Sequence, residues 1–362
     1  MTVTVLDTRP ARSGFHTLRV AAVERLCEDA AAVTFDVPGH LAGAYAFRAG
    51  QFLTLRRVVD GREERRSYSI CAPEGAAPRV GVREVPSGLF SSWLVRRARP
   101  GDEVEVLPPS GTFTADLTAP AHHVLIGAGS GITPLLSIAA TALRERGSRV
   151  SVLYGNRASS TVMFADELAD LKDAHPARFD LAHVLSREPR EAELFTGRLD
   201  AARLGTLLPL LYPVAEVGHW WLCGPYGMVA GAREALAGFG VPGERVHQEL
   251  FYVEDAPPEP RRHTDPEISG LASDVTIVLD GRSTTVRQPR DATVLESAQR
   301  LRPDLPFACR GGVCGTCRAR LTGGRVEMRR NFALDPAELA AGYVLTCQST
   351  PATDEVTLDF DT

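Results

Sequence analysis

Lysine is nearly missing from this chain of 362 residues: Lys172 is the single lysine among 40 basic side chains, and the rest are arginine. Arginine's planar fork suits phosphates and carboxylates, but a chain-wide preference reads first as coding bias. Each arginine therefore needs a separate reason before it counts as a ligand. A surplus of positive charge is also missing. The net charge of -5 gives no grip on nucleic acid or an anionic membrane, and neither partner is expected. No apolar run approaches the roughly 18 residues of a membrane span, and no basic-then-apolar opening segment leads to a small-residue cleavage site. A cytoplasmic protein is expected. Cysteine is scarce, with seven residues, and in a reducing compartment a group of them reads as metal-binding or catalytic rather than as a disulfide frame.

What is present is ordinary soluble material, 44% hydrophobic and 23% charged, long enough for two to three domains. The first hundred or so residues run in short β-prone stretches cut by glycine and proline: "HTLRVAAVERL", "AAVTFDVP", "QFLTLRRVVDG", "RRSYSICAPEG", "RVGVREVP", "DEVEVLPPSG". An antiparallel β-barrel or a sandwich over 14–116 is expected, with one helix in "SSWLVRRA". From "HHVLIGAGSGITPLLSIAATALRERG" the rhythm changes to strand, glycine turn and amphipathic helix, repeated through "HWWLCGPYGMVAGAREALAGFG". That alternation predicts an α/β parallel-sheet domain over 117–253. Proline and charge mark 254–271 as a linker. Two strands around "LDGR" and a helix then predict a small α+β domain over 272–362.

That last segment carries "CRGGVCGTC". Cys309, Cys314, Cys317 and the distant Cys347 give Cx4Cx2Cx29C, the spacing of a plant-type [2Fe-2S] centre, three close thiolates and one remote. Gly311, Gly312 and Gly315 are expected to let the backbone approach inorganic sulfide and aim N–H groups at it. Four-cysteine zinc and inert buried thiols are the alternatives. Zinc ribbons supply two CxxC pairs where this segment has one. Cys27 and Cys71 lie outside the pattern and read as small packing residues.

Two glycine elements stand about a hundred residues apart. "GAGSGITP", Gly127 to Pro134, departs from the Rossmann fingerprint because Ile132 takes the third glycine position. It still offers a helix N-terminus to a dinucleotide pyrophosphate. "CGPYGM", Cys223 to Met228, is the other element. With "RRSYSI" and "PSGLFSSWL", these resemble the ferredoxin-NADP reductase superfamily, and the C-terminal ninety residues resemble its fused plant-type ferredoxin domain, a β-grasp. The resemblance implies FAD held by Arg66, Ser67, Tyr68, Ser69, Val82, Gly88, Leu89, Phe90 and Ser91. It implies a nicotinamide site formed by Gly129, Gly131, Thr133, Cys223, Gly224, Pro225 and Met228, and reacting atoms served by Ser69, Cys223 and Glu249. Phe251 is expected over the flavin or, equally, in the core.

In place of an acid that would grip a ribose 2′-hydroxyl, "YGNR" puts Arg157 and "SRE" puts Ser186 and Arg187. These suit a 2′-phosphate, so NADPH is expected, with NADH as the alternative. The electron order is then NADPH to FAD to [2Fe-2S] to an acceptor, the flavin converting a hydride into single electrons. Across the chain, "RRSYSICAP", "GNRASSTVMFADELADLKD" and "VEMRRNFALDPAELAAGYVLTCQS" resemble the reductase branch that serves ring 1,2-phenylacetyl-CoA epoxidases, which implies a diiron oxygenase as partner in phenylacetate breakdown. Reductases of 3-ketosteroid 9α-hydroxylases share the module order and are the rival, and a redox-sensing binding protein is the alternative from another class.

Overall fold

The computed structural model describes residues 14–252, 271–302 and 304–362. Most of the expected linker, 254–270, lies outside the described residues. The chain divides into two compact units, Thr17–Ala256 and a second that holds Pro257–Thr362.

In the first unit six strands form an antiparallel sheet: β1 (His16–Cys27), β2 (Ala30–Asp36), β3 (Phe52–Val59), β4 (Arg62–Ser69), β5 (Arg79–Arg83) and β6 (Glu103–Val106). Their order is β4-β3-β6-β1-β2-β5, and an Ile70–Val80 bridge joins the two ends, which closes the barrel. Leu18, Val33, Leu55, Val82 and Phe90 fill it. The expected helix is short and irregular: α1 (Leu89–Ser92) gives way to a π-turn over Trp93–Arg97.

The same unit holds a parallel sheet of β7 (His122–Ala128), β8 (Arg149–Asn156), β9 (Phe179–Leu185), β10 (His219–Pro225) and β11 (Val246–Tyr252), ordered β11-β10-β7-β8-β9. Helices α2 (Ile132–Ala142), α3 (Ala165–Ala174), α4 (Ala201–Leu211) and α5 (Tyr226–Gly238) connect its strands. β7 is buried along five consecutive residues, as a parallel strand covered on both faces should be. The barrel and this sheet share one apolar core, where Ala30, Ala32, Cys71 and Phe113 meet Leu125, Leu135 and Trp221. The contact is close: a Cβ on Gly81 of β5 would lie 2.5 Å from Thr133 Cγ2 in α2. That packing aims the carboxyl ends of β7 and β10 at the barrel.

The second unit has β12 (Ala272–Leu279), β13 (Arg282–Pro289), α6 (Val294–Ala298), β14 (Arg318–Gly323), β15 (Val326–Met328), α7 (Pro336–Ala340), β16 (Tyr343–Leu345), β17 (Ser349–Pro351) and β18 (Glu355–Asp359). Its mixed sheet runs β13-β12-β18-β14-β16, with β15 and β17 as a separate ribbon. β12 alternates buried and half-buried along its whole length, one face on the core. Among the described residues no helix is long and apolar enough to cross a membrane.

Candidate functional site

On the barrel, Leu53 and Phe52 of β3 pair with Tyr68 and Ser69 of β4 and fix the end of that strand. Arg66 is half exposed and ion-pairs with Glu64 at 2.9 Å. Ser67 Oγ lies 3.1 Å from Thr54 Oγ1. The Tyr68 ring meets Phe90 edge-on, centroids 6.2 Å apart, and burial pushes its hydroxyl pKa up. Gly88 caps α1 in an extended conformation. Ser91 Oγ accepts from Val85 N at 3.0 Å and donates to the Gly88 carbonyl at 3.2 Å, which locks the loop before the helix. Leu89 is half-buried. Val82 and Phe90 are wholly buried in the barrel core, so anything either offers a cofactor comes from its backbone.

Ser69, Cys223 and Glu249 come together from three strands. Ser69 Oγ donates to Glu249 Oε2 at 3.0 Å, and Glu249 pairs with Cys223 across β10 and β11. Burial raises the Glu249 carboxyl to about 8, against the opposing pull of the Ser69 bond. Burial first, and the neighbouring Glu249 second, push the Cys223 thiol up. Burial therefore favours the uncharged form of both groups beside this strand end.

The two glycine elements occupy one place, as adjacent β7 and β10 require. A Cβ on Gly131 would lie 2.2 Å from the Cys223 carbonyl oxygen, and Gly224 adopts φ +152° with Met228 Cε 3.0 Å from its own absent Cβ. Pro225 caps α5. Thr133 Oγ1 donates to the Ser130 carbonyl at 2.9 Å, and Tyr154 OH to that of Gly129 at 2.8 Å. Phe251 is partly buried against the shared core.

At the ends of β8 and β9, Arg187 N donates to the Arg157 carbonyl at 2.7 Å and Ser186 N to that of Asn156 at 2.9 Å, so the two loops lie side by side. Arg187 is exposed and Ser186 half-buried. Arg157 is already engaged, its Nη2 3.1 Å from Asp29 Oδ2 in the β1–β2 turn. Asp29 also takes Arg83 Nε at 3.4 Å and the Cys27 thiol at 3.2 Å. Cys27 packs against the shared core as expected and also donates its thiol hydrogen to Asp29. Cys71 also behaves as packing, wholly buried in the shared core.

In the second unit the four remaining cysteines form two adjacent pairs. The thiols of Cys309 and Cys314 share a hydrogen bond, as do those of Cys317 and Cys347. Gly311 N and Val313 N each donate to Cys309 Sγ at 3.4 Å. The Cys314 thiol first, then these backbone groups, hold Cys309 down to about 6. Gly312 and Gly315 sit at φ +79° and +68°, where glycine is favoured. A Cβ on Gly311 would make only ordinary contacts within the chain, nearest 3.7 Å, so no protein atom requires glycine there. Among the described residues no three His, Cys, Asp or Glu side chains converge on a single-ion site. Two thiolates per metal, with N–H donors at the sulfurs, is a donor set that fits a dinuclear iron–sulfur centre.

Known proteins match this arrangement segment by segment. Residues 17–115 match the oxidoreductase FAD-binding domain, 125–234 the oxidoreductase NAD-binding domain, and 277–352 the 2Fe-2S iron-sulfur cluster binding domain. The chain is 40% identical over 352 residues to a subunit of the 1,2-phenylacetyl-CoA epoxidase of Escherichia coli (strain K12), covering 96% of this chain and 98% of that one. The chain belongs to the ferredoxin-NADP reductase superfamily with a fused [2Fe-2S] domain. It is also 34% identical over 353 residues to the ferredoxin reductase component of a 3-ketosteroid-9-alpha-monooxygenase from Rhodococcus rhodochrous, covering 95% and 96% of the two chains. The solved structure of phthalate dioxygenase reductase, "a modular structure for electron transfer from pyridine nucleotides to [2Fe-2S]", aligns with TM-score 0.59 at 25% identity over 96% and 98%.

The reductase therefore uses FAD, a [2Fe-2S] cluster and a nicotinamide cofactor, and is an NAD(P)H-dependent oxidoreductase that serves an oxygenase. Three residues that sequence reasoning missed stand beside its sites. Asp29 occupies the arginine of the "YGNR" turn. Asn156 is buried at the carboxyl end of β8, the edge where open α/β sheets bind ligands. Gln348, next to Cys347, is buried, with its amide nitrogen 3.7 Å from Cys347 Sγ. The neighbouring letters "YGNR" and "TCQ" could have drawn attention to the last two, whereas Asp29 carries no local signal.

Proposed function

We propose that this reductase takes hydride from NADPH and delivers single electrons to a diiron oxygenase that epoxidises phenylacetyl-CoA, in the cytoplasm. The carrying observation is the 40% identity to the Escherichia coli epoxidase component over nearly the whole of both chains. When bound, FAD accepts the hydride and the cluster carries one electron at a time. We assign the flavin domain to 14–116, the nicotinamide domain to 117–253, the linker to 254–271 and the ferredoxin domain to 272–362.

Within that reading Arg66, Ser67, Tyr68, Ser69 and the 88–91 turn hold the flavin, and Val82 supports them through its backbone. The Gly129–Thr133 turn and the Cys223–Met228 element hold the dinucleotide. Their mutual contact at Gly131 and Cys223 sets how near the nicotinamide comes to the barrel. Ser69 and a protonated Glu249 present uncharged hydrogen-bonding groups where the hydride passes, and Cys223 bounds the same space. The exposed guanidinium of Arg187, with Ser186 beside it, supports NADPH over NADH. Cys309, Cys314, Cys317 and Cys347 ligate the cluster.

The test is oxygen- and NADPH-dependent consumption of phenylacetyl-CoA by this protein mixed with a purified phenylacetyl-CoA oxygenase core, beside the same assay with a steroid hydroxylase core. Turnover in the first alone is expected. Turnover in the second alone would favour the steroid reading, which the 34% match to the 3-ketosteroid reductase supports.

A further inference from the structure

Gln348 is 2% exposed, and its side chain bridges the two parts of the cluster's ligand set. Nε2 lies 2.7 Å from the carbonyl oxygen of Arg310, inside the three-cysteine loop, and 2.9 Å from that of Cys347, the remote ligand. It also lies 3.7 Å from Cys347 Sγ. All three neighbours are acceptors. The amide orientation follows, because the reversed amide would set its oxygen against two carbonyl oxygens and a sulfur. Oε1 is then left buried without a partner, which disfavours a polar residue at this position unless the donor side compensates.

The backbone accommodates this side chain. Gly312 has φ +79°, and a Cβ there would come within 3.0 Å of Gln348 Cγ. Gln348 is also held at both ends of its peptide, N to the Leu345 carbonyl at 2.9 Å and its own carbonyl to Arg329 N at 2.9 Å. Cys309 receives its N–H groups from the backbone. Cys347 receives one from the Gly312 backbone and one from the Gln348 side chain, and a side chain can be replaced without rebuilding the loop.

We propose that Gln348 is a positioning residue that sets the reduction potential of the [2Fe-2S] cluster through its side-chain NH2, which shares its hydrogens between two carbonyls and Cys347 Sγ. One added electron makes the cluster more negative, so a donor at a ligand sulfur stabilises the reduced form more than the oxidised one. Loss of the donor lowers the potential. The inference rests on the cluster that the family carries and is independent of which oxygenase receives the electrons.

The test is an EPR-monitored redox titration of the full chain with its cofactors, comparing wild type with Gln348→Met, which keeps the length and removes the N–H, and Gln348→Glu, which keeps the shape. We expect the Met variant to retain its iron and its visible circular dichroism. Its cluster should become about tenfold harder to reduce, about 59 mV for one electron. The flavin potential should not move, and the Glu variant should shift further the same way. An intact cluster with an unmoved potential in the Met variant overturns the proposal. Should both variants fail to assemble a cluster, wild type labelled with ¹⁵N in its glutamine side chains decides: a ¹⁵N coupling to the reduced cluster in pulsed EPR is expected, and its absence overturns the proposal. A wild type with no reducible cluster signal would instead overturn the iron–sulfur assignment itself.

Discussion

Gly131→Ala tests the contact on which the proposed nicotinamide site is built. The added Cβ would lie 2.2 Å from the Cys223 carbonyl oxygen, 2.6 Å from its carbon and 2.9 Å from Gly224 N. All three are backbone atoms, so no side-chain rotation relieves the overlap. The end of β10 cannot simply retreat, because Cys223 pairs with Gly127 on one side and with Glu249 on the other. Gly131 itself has φ -60° and ψ -10°, which alanine adopts freely, so the penalty is steric. Overpacking of this kind costs about 1–3 kcal/mol, and rigid backbone on both sides favours the upper end. In a unit of this size, about 3 kcal/mol lowers Tm by about 6–12 °C. Gly205→Ala is the control: it is inside α4 with nothing within 4 Å of its Cβ, and it should gain about 0.5–1 kcal/mol. The assays are thermal melting and stopped-flow reduction of the flavin by NADPH. Gly131→Ala should keep its FAD, melt early and lose at least about tenfold in NADPH-driven reduction, about 1.4 kcal/mol in the barrier. A Tm within a degree of wild type, with unchanged NADPH kinetics, would refute the close approach of the two elements.

Glu249→Gln should change how stability depends on pH. The carboxyl is raised from 4.5 to about 8 in the fold, so between those values the folded chain holds a proton that the unfolded chain has released. Its contribution is complete below about 4.5 and disappears as pH rises through 8. Wild type should therefore weaken relative to Glu249→Gln in denaturant titrations from pH 5 to 9, and parallel curves would show that the carboxyl is not raised. Cys314→Ser should abolish cytochrome c reduction while sparing ferricyanide reduction through the flavin, and equal loss of both would count against a separate ferredoxin module. Arg157→Ala with Arg187→Ala should raise KM for NADPH about tenfold to a hundredfold more than for NADH, the effect of about 1.5–3 kcal/mol from a lost charged hydrogen bond. An unchanged NADPH-to-NADH ratio would remove the 2′-phosphate assignment.

Local chemistry made much of this fold legible. The [2Fe-2S] domain could be read because three cysteines sit within nine residues, and the parallel sheet because glycine turns separate apolar strands from amphipathic helices. α4 was missed. Asp200 caps it, accepting from Arg203 N at 2.9 Å, but Gly205 and Pro209 inside Ala201–Leu211 look like breakers. Pro209 is tolerated there because only the helix's last turn follows it, so the lost N–H bond interrupts little. Propensity gave way to packing of Leu204, Leu207 and Leu208, all buried.

The site residues divide along a related line. Ser69, Cys223 and Glu249 each belong to a recognisable short element, and the fold brings those elements together. Arg157 shows where this way of reading stops. As a letter in "YGNR" it counts as one positive charge for a 2′-phosphate, but in the fold Asp29 arrives from a turn more than a hundred residues earlier and already holds it. A phosphate approaching Arg157 must share or displace that carboxylate, whereas Arg187 is exposed on the neighbouring loop. Most of the discrimination expected from the double substitution should therefore come from Arg187. Testing the two arginines singly would separate a charge that is merely present from one that is available.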